Sequence, residues 1–111
     1  MPASLKGIRV LEMSQIMAGP TCGLLLADLG AEVIKIEKTP GGDDTRRFLP
    51  PDINGEAAAF MMMNRNKKGI ALNLKDNDGI EIFKRMVKNS DVVLENFRNY
   101  FITNTDRKSV V

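Results

Sequence analysis

The residues of this sequence that could do chemistry are cations and backbone amides placed at turns. Histidine is absent and cysteine occurs once among the 111 residues, so zinc sites and His-based acid–base or triad chemistry have no candidates. No metal ligand set is expected. Lys38 closes the run VIKIE, Arg46 and Arg47 are adjacent, and the stretch NRNKK at residues 64–68 packs three positive charges into five residues. Each could meet a phosphate or carboxylate, and paired arginines could do so bidentately. Arg46 and Arg47 could equally pair with Asp43 and Asp44, and the sequence leaves both options open. Taken alone, Lys38 and the NRNKK cluster read as solvated charges. The segment SQIMAGP offers a different kind of site. Pro20 stands where a first helical position tolerates a missing N–H, and the amides of such a helix start, with its dipole, favour an anion. Taken alone, Gly19-Pro20 reads as a tight turn. Cys22 reads as packing rather than as a nucleophile, because no basic residue is near it in sequence.

The elements that must position these groups are legible from periodicity. The apolar run IRVLEM predicts a strand over 8–12, TCGLLLADLG a helix over 20–29, and AEVIKIE a strand over 31–37. That is a βαβ crossover, whose first loop opens at the carboxyl end of a strand. Leu25 and Leu29, with Cys22, are expected to form the buried stripe of the helix, and Gly30 to stop it. Val10 should be central in the sheet, with Val33 and Ile34 buried and Lys35, Glu37 and Lys38 marking an exposed strand end. Residues 39–54 read as a long loop without secondary structure, either functional or disordered. A short helix follows over 56–64, with Phe60 and the methionines at 61–63 as adaptable core. A strand over 69–74, a helix over 75–89 with Ile82, Phe83, Met86 and Val87 buried, and a strand over 91–95 complete the pattern. Asp76 and Asp78 at the start of that helix and Lys84, Arg85 and Lys88 at its end complement its dipole. Strand and helix alternate throughout, which predicts an α/β domain with a parallel sheet. The tail from Arg98 follows neither pattern.

Composition narrows the partners. The 16 basic and 14 acidic residues give a formal charge of +2 and are scattered, so neither nucleic acid nor a membrane surface is an expected partner. No stretch approaches the roughly 20 apolar residues of a membrane span, and the first residues lack the pattern of a signal peptide. One cysteine fits a reducing compartment, and a cytoplasmic location is expected. The loop SQIMAGP lacks the G-x-G-x-x-G spacing that lets a backbone approach a dinucleotide pyrophosphate, which argues against a nicotinamide enzyme. The length suits one core but is short for a complete doubly wound enzyme, so an incomplete domain is expected.

Beyond these readings, LKGIRVLEMS, QIMAGPTCGLLLADLGAEVIKIEK, GGDDTR, NRNKKGIALNLK and DVVLENF occur in an order and spacing that resemble the amino-terminal part of the family III coenzyme A transferases, also called the CaiB/BaiF family. The resemblance covers residues 5–97. It implies a Rossmann-like domain of an interlocked homodimer that binds CoA thioesters, with coenzyme A as a substrate rather than a resident cofactor. By residue, it places Ile16, Met17 and Ala18 of the first loop along the coenzyme, Lys38 at the nucleotide, and Leu72, Lys75, Asn96 and Phe97 against the same ligand. It implies transfer of CoA between an acyl-CoA and a carboxylic acid through an aspartyl thioester. Relatives of the same fold racemise 2-methylacyl-CoA or act on carnitine esters, and a non-catalytic CoA-binding remnant is a further possibility. The nucleophilic aspartate of the family matches nothing in this chain, so no catalytic residue is assigned. After Asn96-Phe97-Arg98 the chain departs from the family's Pro-Gly turn and helix, and Asn104 stands where a basic residue is expected. Residues 98–111 are therefore expected to be a divergent tail, the product of truncation, a shifted reading frame or a mispredicted gene end.

Overall fold

The computed structural model describes residues 3–97 and the strand Ser109–Val110. Its elements are β1 (Arg9–Met13), α1 (Ala18–Asp28), β2 (Glu32–Glu37), a 3-10 turn (Asp44–Arg47), β3 (Asp52–Ile53), β4 (Glu56–Ala57), α2 (Ala58–Asn64), β5 (Lys68–Ala71), α3 (Asn77–Lys88), β6 (Val92–Glu95) and β7 (Ser109–Val110). Five strands form one parallel sheet in the order β5-β2-β1-β6-β7. β1 is flanked on both sides, with Val10 opposite Val33 of β2 and Val92 of β6. This is the expected α/β architecture. The expectation for residues 98–108 and 111 lies outside the described residues.

Strand alternation divides the core in two. Val10, Val33 and Leu94 point to the α1 side, where they meet Ala27, Ala31, Cys22 and Leu26. Leu11, Met13, Ile36 and Val93 point the other way and meet Phe83, with Met86 and Val87 alongside. Phe83 is thus the anchor of α3, as its spacing predicts, while Ile82 is 37% exposed and lies off the buried stripe.

The same alternation overturns the reading of Lys35 as exposed. Lys35 shares the face of Val33, is only 2% exposed, and sits opposite Glu12 in the β1–β2 register. Its Nζ lies 2.9 Å from Glu12 Oε2, beneath α1. A helix lying over a buried ion pair must present small residues to it, and α1 does: Gly19, Pro20, Gly23 and Ala27 are buried, whereas Leu25 and Leu29 are 59% and 42% exposed. The expected Leu25–Leu29 stripe therefore faces outward. Gly23 is the tightest point, since a Cβ there would stand 1.8 Å from Glu12 Oε1.

Residues 39–54 are not the structureless loop expected from their composition. Asp43 caps the 3-10 turn by accepting from Thr45 N at 2.9 Å, and β3 pairs with β4 in a short antiparallel hairpin. The methionine run of α2 is likewise not core: Met61 and Met62 are exposed, and no residue of that helix is fully buried. Phe60 instead carries the Arg46 guanidinium 3.8 Å over its ring. Gly79 of α3 packs on the turn after β5, where a Cβ would come 2.0 Å from the Asn73 carbonyl oxygen.

Gly23→Ala must displace a doubly paired buried carboxylate, so a loss of about 3 kcal/mol in unfolding free energy is expected. Leu25→Gln, one turn-face away, should change stability by less than about 0.5 kcal/mol. Urea unfolding of the two variants beside the parent chain measures both.

Candidate functional site

The carboxyl ends of parallel strands leave their last polar groups and the following loops facing one crevice, the usual ligand position of an open α/β sheet. Here the ends of β1, β2, β5 and β6 enclose a cavity of about 210 Å³. Met13, Ser14 and Gln15 contribute from the end of β1, and Ile36, Glu37, Lys38 and Thr39 from the end of β2. Asp43, residues 72–75 after β5 and Phe97 after β6 close it. Apolar wall comes mainly from Met13, Ile36, Leu72, Leu74 and Phe97, while Lys38 and Lys75 bring positive charge.

Of the residues assigned from the sequence, Lys38, Leu72, Lys75 and Phe97 meet in this cavity. Ile16, Met17 and Ala18 do not line it. They are exposed on the adjoining loop and first turn of α1, immediately after Gln15. Asn96 is also outside the lining and acts on the loop itself: its side chain accepts from Gln15 N at 3.2 Å and donates to Gln15 O at 3.0 Å. Gln15, Thr39, Asn73 and Leu74 were not singled out by sequence reasoning. Asn73 carried a usable signal, because an Asn two residues before Lys75 can turn the chain, and its Oδ1 does accept Lys75 N at 3.0 Å.

The other candidate cations are engaged elsewhere. Arg46 donates from two nitrogens to the two oxygens of Glu37, each at 2.7 Å, so its partner is neither Asp43 nor Asp44. That contact holds the Glu37 carboxyl below its ordinary range, against the opposing effect of burial. Arg47 pairs with Asp44 and donates to Gly41 O at 2.9 Å. Lys38 is half exposed and lies 3.2 Å from Asp44, whose carboxyl it pulls below the usual range. The NRNKK cluster lies at the entry to β5, with Arg65 2.7 Å from Asp28 and Lys68 2.6 Å from Glu32.

Lys67 enters the interior and extends the buried pair into a network. Its Nζ lies 2.7 Å from Glu12 Oε1 and donates to Pro20 O at 2.8 Å and Asn64 Oδ1 at 2.9 Å. Lys35 Nζ in turn lies 2.9 Å from Asp43 Oδ2 and donates to Ser14 O at 3.1 Å. Two lysines and two carboxylates are thus buried together, and of the four Asp43 also lines the cavity. Burial pushes Lys67 down, opposed by Glu12. For Asp43, burial pushes the carboxyl up, but the Thr45 N–H and the Lys35 ammonium outweigh it and hold the group below its ordinary range.

The chain matches CoA-transferase family III over residues 5–104. It belongs to that family. Succinyl-CoA:glutarate CoA-transferase of Mus musculus is 47% identical over 93 residues, which are 84% of this chain and 21% of that protein. Succinate–glutarate CoA-transferase of Agrobacterium fabrum is 45% identical over 100 residues, 85% of this chain and 25% of that protein. A formyl-CoA:oxalate CoA-transferase of Afipia carboxidovorans is 41% identical over 97 residues, 87% of this chain and 23% of that protein. A CaiB/BaiF family protein from Brucella suis superposes with a TM-score of 0.85 at 42% identity, covering 94% of this chain and 28% of that one. The chain corresponds to the amino-terminal part of these relatives and spans about a fifth to a quarter of the length of the curated ones.

Asp43 and Glu37 have folded values below their unfolded ones, so in acid the unfolded chain binds more protons. The stability they supply is present above their unfolded values, about pH 4, and drains as pH falls through the folded values. Melting temperature is expected to decline steadily below about pH 4. Glu37→Gln should melt lower at neutral pH and show a shallower acid decline in the same series of thermal scans.

Proposed function

We propose that this chain forms the coenzyme-binding amino-terminal part of an acyl-CoA:carboxylate CoA-transferase. The observation that carries this reading is the convergence of Lys38, Leu72, Lys75 and Phe97, from three separate stretches of sequence, on one cavity at the strand ends. Coenzyme A combines phosphates with a long arm in which apolar stretches alternate with amides, and the cavity offers partners for both. Lys38 and Lys75 supply charge for phosphate, and Leu72, Leu74 and Phe97 supply an apolar wall. Ser14 Oγ and Gln15 Oε1 are buried at its β1 end without a hydrogen-bond partner among the described residues, which suits a ligand with polar groups of its own.

In the complete reaction a carboxylate attacks the acyl carbonyl of the thioester and CoA leaves as thiolate. That leaves a mixed anhydride, whose aspartyl carbonyl the thiolate attacks, so that the donor acid leaves as carboxylate and an aspartyl thioester remains. The acceptor carboxylate then attacks that thioester, and the thiolate it releases takes the acceptor's acyl group and frees the aspartate. The acidic residues around this cavity do not fit the nucleophile's role. Asp43 is locked to Lys35, Glu37 to Arg46, and Asp44 to Lys38 and Arg47. This chain's part is to hold the coenzyme. The outward-facing Leu25, Leu29, Met61 and Met62 support burial against further protein, and we read the working form as a cytoplasmic homodimer. Among the described residues no helix is long and apolar enough to cross a membrane.

Isothermal titration of the chain with CoA, with NAD as the comparison, tests the reading. Saturable heat is expected with CoA and none with NAD, and Lys38→Ala and Lys75→Ala should each weaken CoA binding by about tenfold. A chain that is folded by circular dichroism yet takes up no CoA would overturn it.

A further inference from the structure

We propose that Asp43 is a positioning residue, whose buried carboxylate sets the first loop, residues 14–18, and its distance from Lys38. The consequence for binding rests on the coenzyme reading above. The loop's conformation is unusual: Ile16 has φ of 71°, a left-handed backbone that a β-branched residue holds only when its surroundings impose it. Three consecutive residues of the loop are fixed through four backbone groups by side chains distant in sequence. Ser14 O accepts from Lys35 Nζ at 3.1 Å, and Gln15 N and O are both held by the Asn96 amide. Ile16 N donates to Asp43 Oδ1 at 3.2 Å.

Asp43 is the member of this set that ties two ligand-bearing loops together. It lies on the loop after β2 that also carries Lys38, and its own backbone is anchored, because Asp43 N donates to Glu37 Oε1 at 2.9 Å. Its Oδ1 is oriented by Thr45 N and Thr45 Oγ1, each at 2.9 Å, and its Oδ2 by the Lys35 ammonium at 2.9 Å. The carboxylate is therefore held from both loops and from the sheet. An amide in its place would keep an acceptor for Ile16 N but lose the charge that holds it against Lys35.

Amide hydrogen exchange by NMR and CoA titration, run on the parent chain and on Asp43→Asn, Thr45→Val and Asp28→Asn, test this. In Asp43→Asn, Ile16 N–H exchange is expected to quicken about tenfold while Leu11 of β1 keeps its protection, and CoA affinity to fall about tenfold. Thr45→Val should show a smaller change in both readouts. Asp28→Asn, which loses only a surface pair, should show neither. Unchanged Ile16 exchange in a folded Asp43→Asn chain overturns the proposal. So does faster exchange without loss of CoA affinity, which would leave Asp43 a purely structural role. If Asp43→Asn does not fold, unchanged Ile16 exchange in Thr45→Val overturns it instead. If the parent chain takes up no CoA, the coenzyme reading fails, while Ile16 exchange still decides whether Asp43 sets the loop.

Discussion

Glu12, Lys35, Asp43 and Lys67 place two negative and two positive charges in the interior, each side chain at most 3% exposed. Burying an ion costs several kcal/mol even after relaxation, and the cost is offset only where geometry is good and the remaining donors and acceptors are met. Here each ammonium has at least three oxygen partners. Such a network adds little net stability over an apolar core of the same volume. What it adds is direction, because hydrophobic contact holds elements together without fixing their angle or register. α1 must lie where Gly23 clears Glu12, the loop after β2 must bring Asp43 to Lys35, and the chain entering β5 must deliver Lys67 to Pro20.

That constraint also explains what the sequence reveals and what it hides. Order and type of the main elements are legible because long apolar periodicity reports them, and Phe83 stands out as the centre of a helical stripe. Lys35 is hidden because charge outweighs alternation in a local reading, although period two places it with Val33 on the covered face. Its partner Glu12 is non-local and becomes visible only in the β1–β2 register. The inward face of α1 is hidden for the same reason, since Gly19, Gly23 and Ala27 carry almost no hydrophobic signal while the outward Leu25 and Leu29 carry a strong one. The methionines of α2 mislead by composition alone.

The candidate site shows a similar division. Positions lining the cavity sit at strand ends, which periodicity locates, and the family resemblance adds an expectation of which of them meet a ligand. Cations that look equivalent in sequence are not so in three dimensions. Arg46 and Arg47 brace the loop after β2, Arg65 and Lys68 sit at the far end of the sheet, and Lys38 and Lys75 line the cavity. Asn96 was assigned to the ligand, yet its observed bonds go to the Gln15 backbone. Through those bonds it fixes the backbone of Gln15, which lines the cavity.

The position of β1 between β2 and β6 also has a bearing on how the chain leaves the ribosome. Arg9, at the start of β1, is joined to Asp91 beside β6, 82 positions further along. At roughly 5–20 residues per second, the partner strand emerges on the order of ten seconds after β1. Through that interval one edge of β1 is open beside β2, a template for pairing with another nascent chain. Until Asp43 and Lys67 have emerged in their turn, Glu12 and Lys35 put charge on the half-built sheet and oppose such pairing over the first part of that interval. Two charges that end inside the core begin as guards of an unfinished edge.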